Sequence, residues 1–532
     1  MTVSVAVSNL IAQSSANALE SLVSTKFASR LFAKDYTLWG EAAEAESSIR
    51  LGWTSSATDS SPLVAPITEL RERLKAAGIN RVVLCGMGGS SLAPEVIVGT
   101  AGLELVVLDS TNPEQVGTAL AGDLTKTVVV VSSKSGSTVE TDSQKRLFEE
   151  AFTNAGINKS ERIVIVTDPG SPMEAAAKAD GYTIFNADPT VGGRYSALTA
   201  FGLVPSGLAG VNIDALLSDA AAASALLSAD SAENPGLVLG AAMAASVKGT
   251  KPANKLAILD KSSPLVGFAD WAEQLIAEST GKDGKGVLPI ALTASAPELA
   301  AQPEDLIVAE LVSQITNIGD SDIQVSGSLG EQFLLWEVAT AAASAILQLN
   351  PYDQPDVESA KVAARAMLEN RAPESPAIFS EGGVEVRAAG FNLTAETLAE
   401  ALKATLDQLG ADGYVSVQAY LDRENQGQYA ELRDAFAQAS GRPTTFGWAP
   451  RFLHSTGQYH KGGPAQGVYI QLVSRASRDI QVPGRGFTLG ELIASQAAGD
   501  ANVLAEHGRP VLTLTISDVA TGAAIIKKAL GN

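Results

Sequence analysis

A chain of 532 residues is too long for one ordinary hydrophobic core and implies more than one domain. With 45% hydrophobic and 18% charged residues, its composition is globular rather than disordered. A formal net charge of −21 works against binding to nucleic acid or to anionic membranes, and any anion site must therefore carry its own local positive field.

The N-terminal run Met1-Thr2-Val3-Ser4-Val5-Ala6 lacks the basic start of a signal or transit peptide, and no apolar run reaches the length of a membrane span. Cys85 is the one cysteine, so no intramolecular disulfide and no cysteine-based zinc site can form. It ends an apolar strand and reads as a buried, inert thiol. Three histidines, His454, His460 and His507, argue against a histidine-rich metal site. The expectation is a soluble cytoplasmic protein without metal or cofactor.

Residues 1–55 read as an N-terminal segment, helical from Ser8 to about Arg50. A first α/β domain follows over 56–212. Its short β-branched runs, Val82–Leu84, Leu105–Leu108, Val128–Val131, Ile163–Val166 and Thr183–Phe185, alternate with helical stretches. That alternation implies a parallel sheet covered on both faces, with ligands at the carboxyl ends of the strands. A second α/β set over 213–480 opens with Ala/Leu-rich helices. It continues through Lys255–Leu259, Leu306–Val308, a long helix from about Glu331 to Leu349, and strands near Val415–Gln418 and Val468–Leu472. A C-terminal segment, 481–532, holds a strand at Val511–Ile516 and a last helix.

Two loops stand out, each after a predicted strand. One is Gly86-Met87-Gly88-Gly89-Ser90-Ser91 and the other Ser133-Lys134-Ser135-Gly136-Ser137-Thr138. Glycines let the backbone approach an anion, N–H groups and hydroxyls donate to it, and the following helix adds its positive end. Two such loops at neighbouring strand ends suggest one phosphate held from two sides. The first also opens like a dinucleotide fingerprint, with Asp109 at the ribose-acid spacing, but Ser91 stands where the third glycine belongs. Neither is a Walker A loop, since no Gly-Lys-Ser/Thr closes it.

Four further segments offer chemistry. Arg194, in Gly192-Gly193-Arg194, could reach a cleft and neutralise a phosphate or an oxyanion, although a surface arginine is the commoner case. Glu278 ends a helical stretch before a Gly/Lys loop, where it could be a positioned base or a solvated acid. Gln354 and Lys361 lie a little under two helical turns apart and can share a face. His454 has apolar neighbours and suggests partial burial, with His460 and Lys461 as rivals for any role.

Together, Gly86–Pro94, Ser133–Thr141, Gly192–Arg194, Glu278–Gly286 and Asp353–Lys361 resemble, in order, the glucose-6-phosphate isomerases (phosphoglucose isomerases). The resemblance is strongest to the isomerase part of bacterial transaldolase/phosphoglucose isomerase fusions, through Gly330–Phe333 to Gln354 and Phe452–Pro464. It implies two sugar-isomerase (SIS) domains of flavodoxin-like, parallel-sheet form with flanking helices. It also implies a homodimer and a metal-independent interconversion of glucose 6-phosphate and fructose 6-phosphate in glycolysis and gluconeogenesis. By motif, Gly89, Ser90, Ser133, Ser135 and Thr138 would bind the phosphate, with Lys134 nearby. Glu278 would move the proton between C1 and C2, Arg194 would stabilise the cis-enediolate, and Gln354 would orient the sugar. Lys361 and His454 would serve ring opening. In the common isomerases the histidine segment precedes the lysine segment and comes from the partner subunit; here the order is Glu278, Lys361, His454. The alternatives are another SIS isomerase, such as one accepting mannose 6-phosphate as well, and a non-catalytic sugar-phosphate-binding protein.

Overall fold

The computed structural model of the chain describes residues 2–356, 362, 368 and 375–531. Its strands, in chain order, are β1 Ser4–Val7, β2 Arg81–Gly86, β3 Val106–Leu108, β4 Thr127–Ser132, β5 Ile163–Thr167 and β6 Thr183–Asn186. A short hairpin, β7 Val247–Lys248 with β8 Lys251–Pro252, leads to β9 Lys255–Asp260, β10 Leu288–Leu292, β11 Leu306–Leu311 and β12 Ile323–Ser326. The remainder are β13 Phe379–Glu381, β14 Val384–Ala389, β15 Tyr414–Tyr420, β16 Thr444–Trp448, β17 Gly467–Ser474 and β18 Val511–Ile516.

The first sheet runs β3-β2-β4-β5-β6 and is parallel throughout. Its central β4, Thr-Val-Val-Val-Val-Ser, is buried at every position, as a strand covered on both faces must be. From β2 the chain turns to β3 on one side and then crosses to β4 on the other. The sheet reverses direction between β2 and β4, and the crevice at such a reversal is where doubly wound sheets bind ligands. The two glycine/serine loops follow these two strands.

The second sheet runs β1-β12-β11-β9-β10, parallel except for its edge strand β1, which pairs antiparallel with β12 from Ser4↔Ser326 to Val7↔Ile323. The N-terminal segment is thus not helical alone. Ser4-Val5-Ala6-Val7 gives an exposed sheet edge its last strand before the helix Asn9–Ser24 begins.

A third sheet, additional to the two that the sequence predicts, runs β13-β14-β18-β17-β15-β16. It draws on residues on both sides of 480, because β17 and β18 pair in parallel from Tyr469↔Val511 to Ser474↔Ile516. The reason is burial. Five of the six positions of Val511–Ile516 are buried, so the strand needs ladder partners on both sides and takes β14 and β17.

One apolar core joins Leu84 and Val130 of the first sheet, Ile258 and Ile307 of the second, and Leu334, Trp336 and Val338 of the helix Leu329–Leu347. The third sheet has its own core around Val417, Ile470, Leu514 and Phe436. Tyr414, Tyr459 and Tyr469 pack against Leu288 and Ile290 where the second and third sheets meet. Among the described residues no helix is long and apolar enough to cross a membrane.

Candidate active site

The first loop leaves β2 as a tight turn, Gly88–Ser90, with Gly88 at φ +55°. A Cβ on Gly88 would lie 2.6 Å from the carbonyl oxygen of His454, and one on Gly89 would overlap the carbonyl oxygen of Gly193. Only glycine permits this packing, and the packing brings three sequence-distant segments into contact.

The second loop leaves β4 and enters the helix Val139–Asn154. Ser133 Oγ accepts the Gly136 N–H at 3.2 Å and pairs with Thr138 Oγ1 at 3.1 Å, while Ser135 Oγ pairs with Ser137 Oγ at 2.9 Å. The hydroxyls are therefore preset around the N-terminus of a 16-residue helix. Lys134 Nζ donates to Asp168 Oδ2 at 2.6 Å. Burial works against both charges, pulling the ammonium down and pushing the carboxyl up.

Arg194 sits in the short turn Gly193–Tyr195 beyond β6, with its side chain 2% exposed. Its Nη1 donates to Glu278 Oε2 and to Gln354 Oε1, each at 3.2 Å, and its Nη2 to the Asp353 carbonyl at 2.9 Å. Glu278 lies in the last turn of the helix Phe268–Thr280. One turn earlier, Gln274 Nε2 approaches Glu278 Oε2 at 3.4 Å and donates to the His454 carbonyl at 2.9 Å.

His454 ends the turn Arg451–His454, beyond β16. Its Nε2 lies 2.9 Å from Glu140 Oε1, in the first turn of the helix after the second loop. Gln496 Nε2 donates to the same oxygen at 2.7 Å, and Gln496 Oε1 accepts from Thr111 Oγ1 at 2.8 Å. Behind this turn, the buried Arg451 pairs with Asp109 and Glu95, which fastens the histidine segment to the first sheet. Asp109 is thereby occupied and does not take the part of a ribose-binding acid.

One cleft of about 760 Å³ is lined by Gly89, Ser90, Ser133, Lys134, Ser135, Thr138, Arg194, Glu278, Gln354 and His454. All sequence-predicted site residues meet there except Lys361, which lies outside the described residues. His454 reaches the cleft from the same chain as Glu278. His460 and Lys461 are buried away from it: His460 is bracketed by Ser416 and Gln418, and Lys461 pairs with Asp500. Cys85 is fully buried, and burial pushes its thiol up. Sequence reasoning missed Gln274, Glu140 and Gln496. Gln274 carries a readable signal, since it stands one helical turn from Glu278 on the same face. Glu140 and Gln496 carry none, because only the fold brings them to His454.

The Phosphoglucose isomerase family model matches residues 71–290, from before β2 to within β10. The chain is 28% identical to a probable glucose-6-phosphate isomerase of Haloarcula marismortui, over 57% of this chain and 82% of that one. It is 29% identical to a glucose-6-phosphate isomerase of Rubrobacter xylanophilus, over 55% and 83%. It is 34% identical to a probable glucose-6-phosphate isomerase of Haloquadratum walsbyi, over 39% of this chain and about half, 49%, of that one. Among solved structures, a hypothetical protein of Thermus thermophilus aligns with a TM-score of 0.57 at 24% identity, over 68% of this chain and 99% of that one. A glucose-6-phosphate isomerase of Chlamydia trachomatis aligns at 0.52 and 20%, over 62% and 75%. These two show a shared α/β fold.

Proposed function

We propose that the chain, whose residues 71–290 match the Phosphoglucose isomerase family model, interconverts glucose 6-phosphate and fructose 6-phosphate in the cleft just described. The observation that carries the reading is the Arg194–Glu278 pair, buried beside two phosphate-cradling loops and facing the His454–Glu140 pair.

The substrate phosphate docks on Ser90, Ser133, Ser135 and Thr138 and on the N-terminus of the helix Val139–Asn154. Being remote from the reacting carbons, it supplies binding energy that orients them. His454, held in place by the Glu140 carboxylate, gives a proton to the ring oxygen as the C1–O bond opens and the O1 hydroxyl gives up its proton to water. Glu278 then takes the proton from C2 of the open aldose, and the electron pair moves into the C1–C2 bond and onto O1. The Arg194 guanidinium holds the resulting enediolate charge. The O2 proton passes to O1, Glu278 returns its proton to C1, and the carbonyl forms at C2. General acid–base help of this kind contributes about 10²–10⁴-fold. The homodimer and the cytoplasmic location implied by the resemblance belong to the same proposal, and the mass in solution tests the first.

The test is Glu278→Gln. It should keep sugar-phosphate binding but lose both turnover of fructose 6-phosphate and exchange of the substrate C–H with solvent deuterium. Near-normal exchange in this variant would remove Glu278 as the base.

A further inference from the structure

Lys282 lies just beyond the helix that carries Glu278, and its side chain is 2% exposed. Its Nζ donates to the Asn350 carbonyl at 2.6 Å, the Asp353 carbonyl at 2.8 Å and Asp353 Oδ1 at 2.6 Å. These contacts use every donor that an ammonium has. The Asp353 carbonyl that accepts from Lys282 also accepts from Arg194 Nη2, and the next residue, Gln354, holds Arg194 Nη1. One turn, Asn350–Gln354, is therefore gripped from below by Lys282 and in turn grips the guanidinium that faces Glu278.

We infer that Lys282 is a positioning residue for the isomerisation: its ammonium latches the Asn350–Gln354 turn, and through the Asp353 carbonyl it sets the Arg194 guanidinium on Glu278. This rests on the isomerase reading of the cleft.

The latch sits where it can open with pH. Burial, and next the Arg194 charge, pull the Lys282 ammonium down to about 8, against the opposite pull of Asp353 and Glu278. Those three charges act on it most strongly. On the remaining side the helix Gly457–Gly462 packs Tyr459 on Gly281, while Gln458 donates to the Gly281 carbonyl and to Asp356 Oδ2. While Lys282 is charged, three acceptors are matched by three donors. Once it is neutral, one donor is lost, one of the three acceptors goes unmatched, and the Asp353 carboxylate faces an uncharged amine. Turnover should therefore fall as pH rises through about 8, and kcat should fall more than substrate binding.

The experiment is kcat and KM for fructose 6-phosphate across the neutral and alkaline range, for the unmutated protein, Asp353→Asn and Lys282→Met. Asp353 raises the Lys282 pKa, so Asp353→Asn should move the alkaline limb of kcat to lower pH. A positioning loss of this kind is on the order of 10²-fold, so Lys282→Met should lose that much kcat, with KM within a few-fold and no limb left. A limb that stays in place in Asp353→Asn, or a Lys282→Met protein with unaltered kcat, overturns the inference. If Lys282→Met fails to fold, the shift in Asp353→Asn decides alone. A flat profile through about pH 8 in the unmutated protein overturns this inference and leaves the isomerase reading standing. Absence of any turnover in the unmutated protein overturns both.

Discussion

His454 Nε2 lies 2.9 Å from Glu140 Oε1, so a residue that follows β16 of the third sheet is fixed by the helix that begins after the Ser133–Thr138 loop of the first. The carboxylate, itself held by Gln496, fixes the position of the imidazole at the edge of the cleft.

Removing that support should slow ring opening more than proton transfer. Glu140→Gln and His454→Asn should each cost on the order of 10²-fold with closed-ring glucose 6-phosphate, the low side of general-acid effects. The loss should be much smaller with an aldose phosphate too short to cyclise. Steady-state rates on the two substrates decide this, and equal losses on both would remove His454 from the ring-opening step.

Gly89 is the point where the first phosphate loop touches the Arg194 turn, and a side chain there would overlap the Gly193 carbonyl. Gly89→Ala should push loop and turn apart and harm both binding and chemistry. A displacement near 1 Å at such a place costs on the order of 10²-fold in rate. We expect a raised KM for fructose 6-phosphate together with a lowered kcat, in a protein whose far-ultraviolet dichroism is unaltered. An unaltered KM would separate this loop from the phosphate.

Glu337, in the helix Leu329–Leu347, is fully buried, and burial pushes its carboxyl well above the usual range. Below the ordinary carboxyl pKa, folded and unfolded chains both hold this proton. Above it, the unfolded chain ionises while the folded one keeps the proton, so unfolding releases a proton and stability declines with rising pH. The slope is about 1.4 kcal/mol per pH unit for one proton. Glu273 contributes in the same direction, so the readout is a difference between proteins. Glu337→Gln should show a flatter decline of stability between weakly acidic and neutral pH in denaturant titrations. Parallel slopes for the two proteins would mean that Glu337 is ionised inside the fold.

The phosphate loops were legible in the chain because their physics is local: strand, glycine and serine turn, helix start. Arg194, Glu278, Gln354 and His454 were each ambiguous, since a lone arginine or acid at a helix end is usually a surface residue. Glu140 and Lys282 went unread because their partners lie 314 and 71 residues away along the chain. The third sheet was missed for a similar reason. Val511–Ile516 reads as an isolated tail strand until β14 and β17 enclose it.

The sequence by itself determined the alternation of strand and helix, the two anion-cradling turns and the residue types for acid–base chemistry. All of these follow from neighbours within a few residues. Only the tertiary structure decided that β2 and β4 flank the reversal of the first sheet. The same holds for the Arg194–Glu278 pair, closed by a turn that Lys282 holds, and for the arrival of His454 from the third sheet of the same chain. Those relationships depend on burial and pairing between segments tens to hundreds of residues apart, where local pattern carries no information.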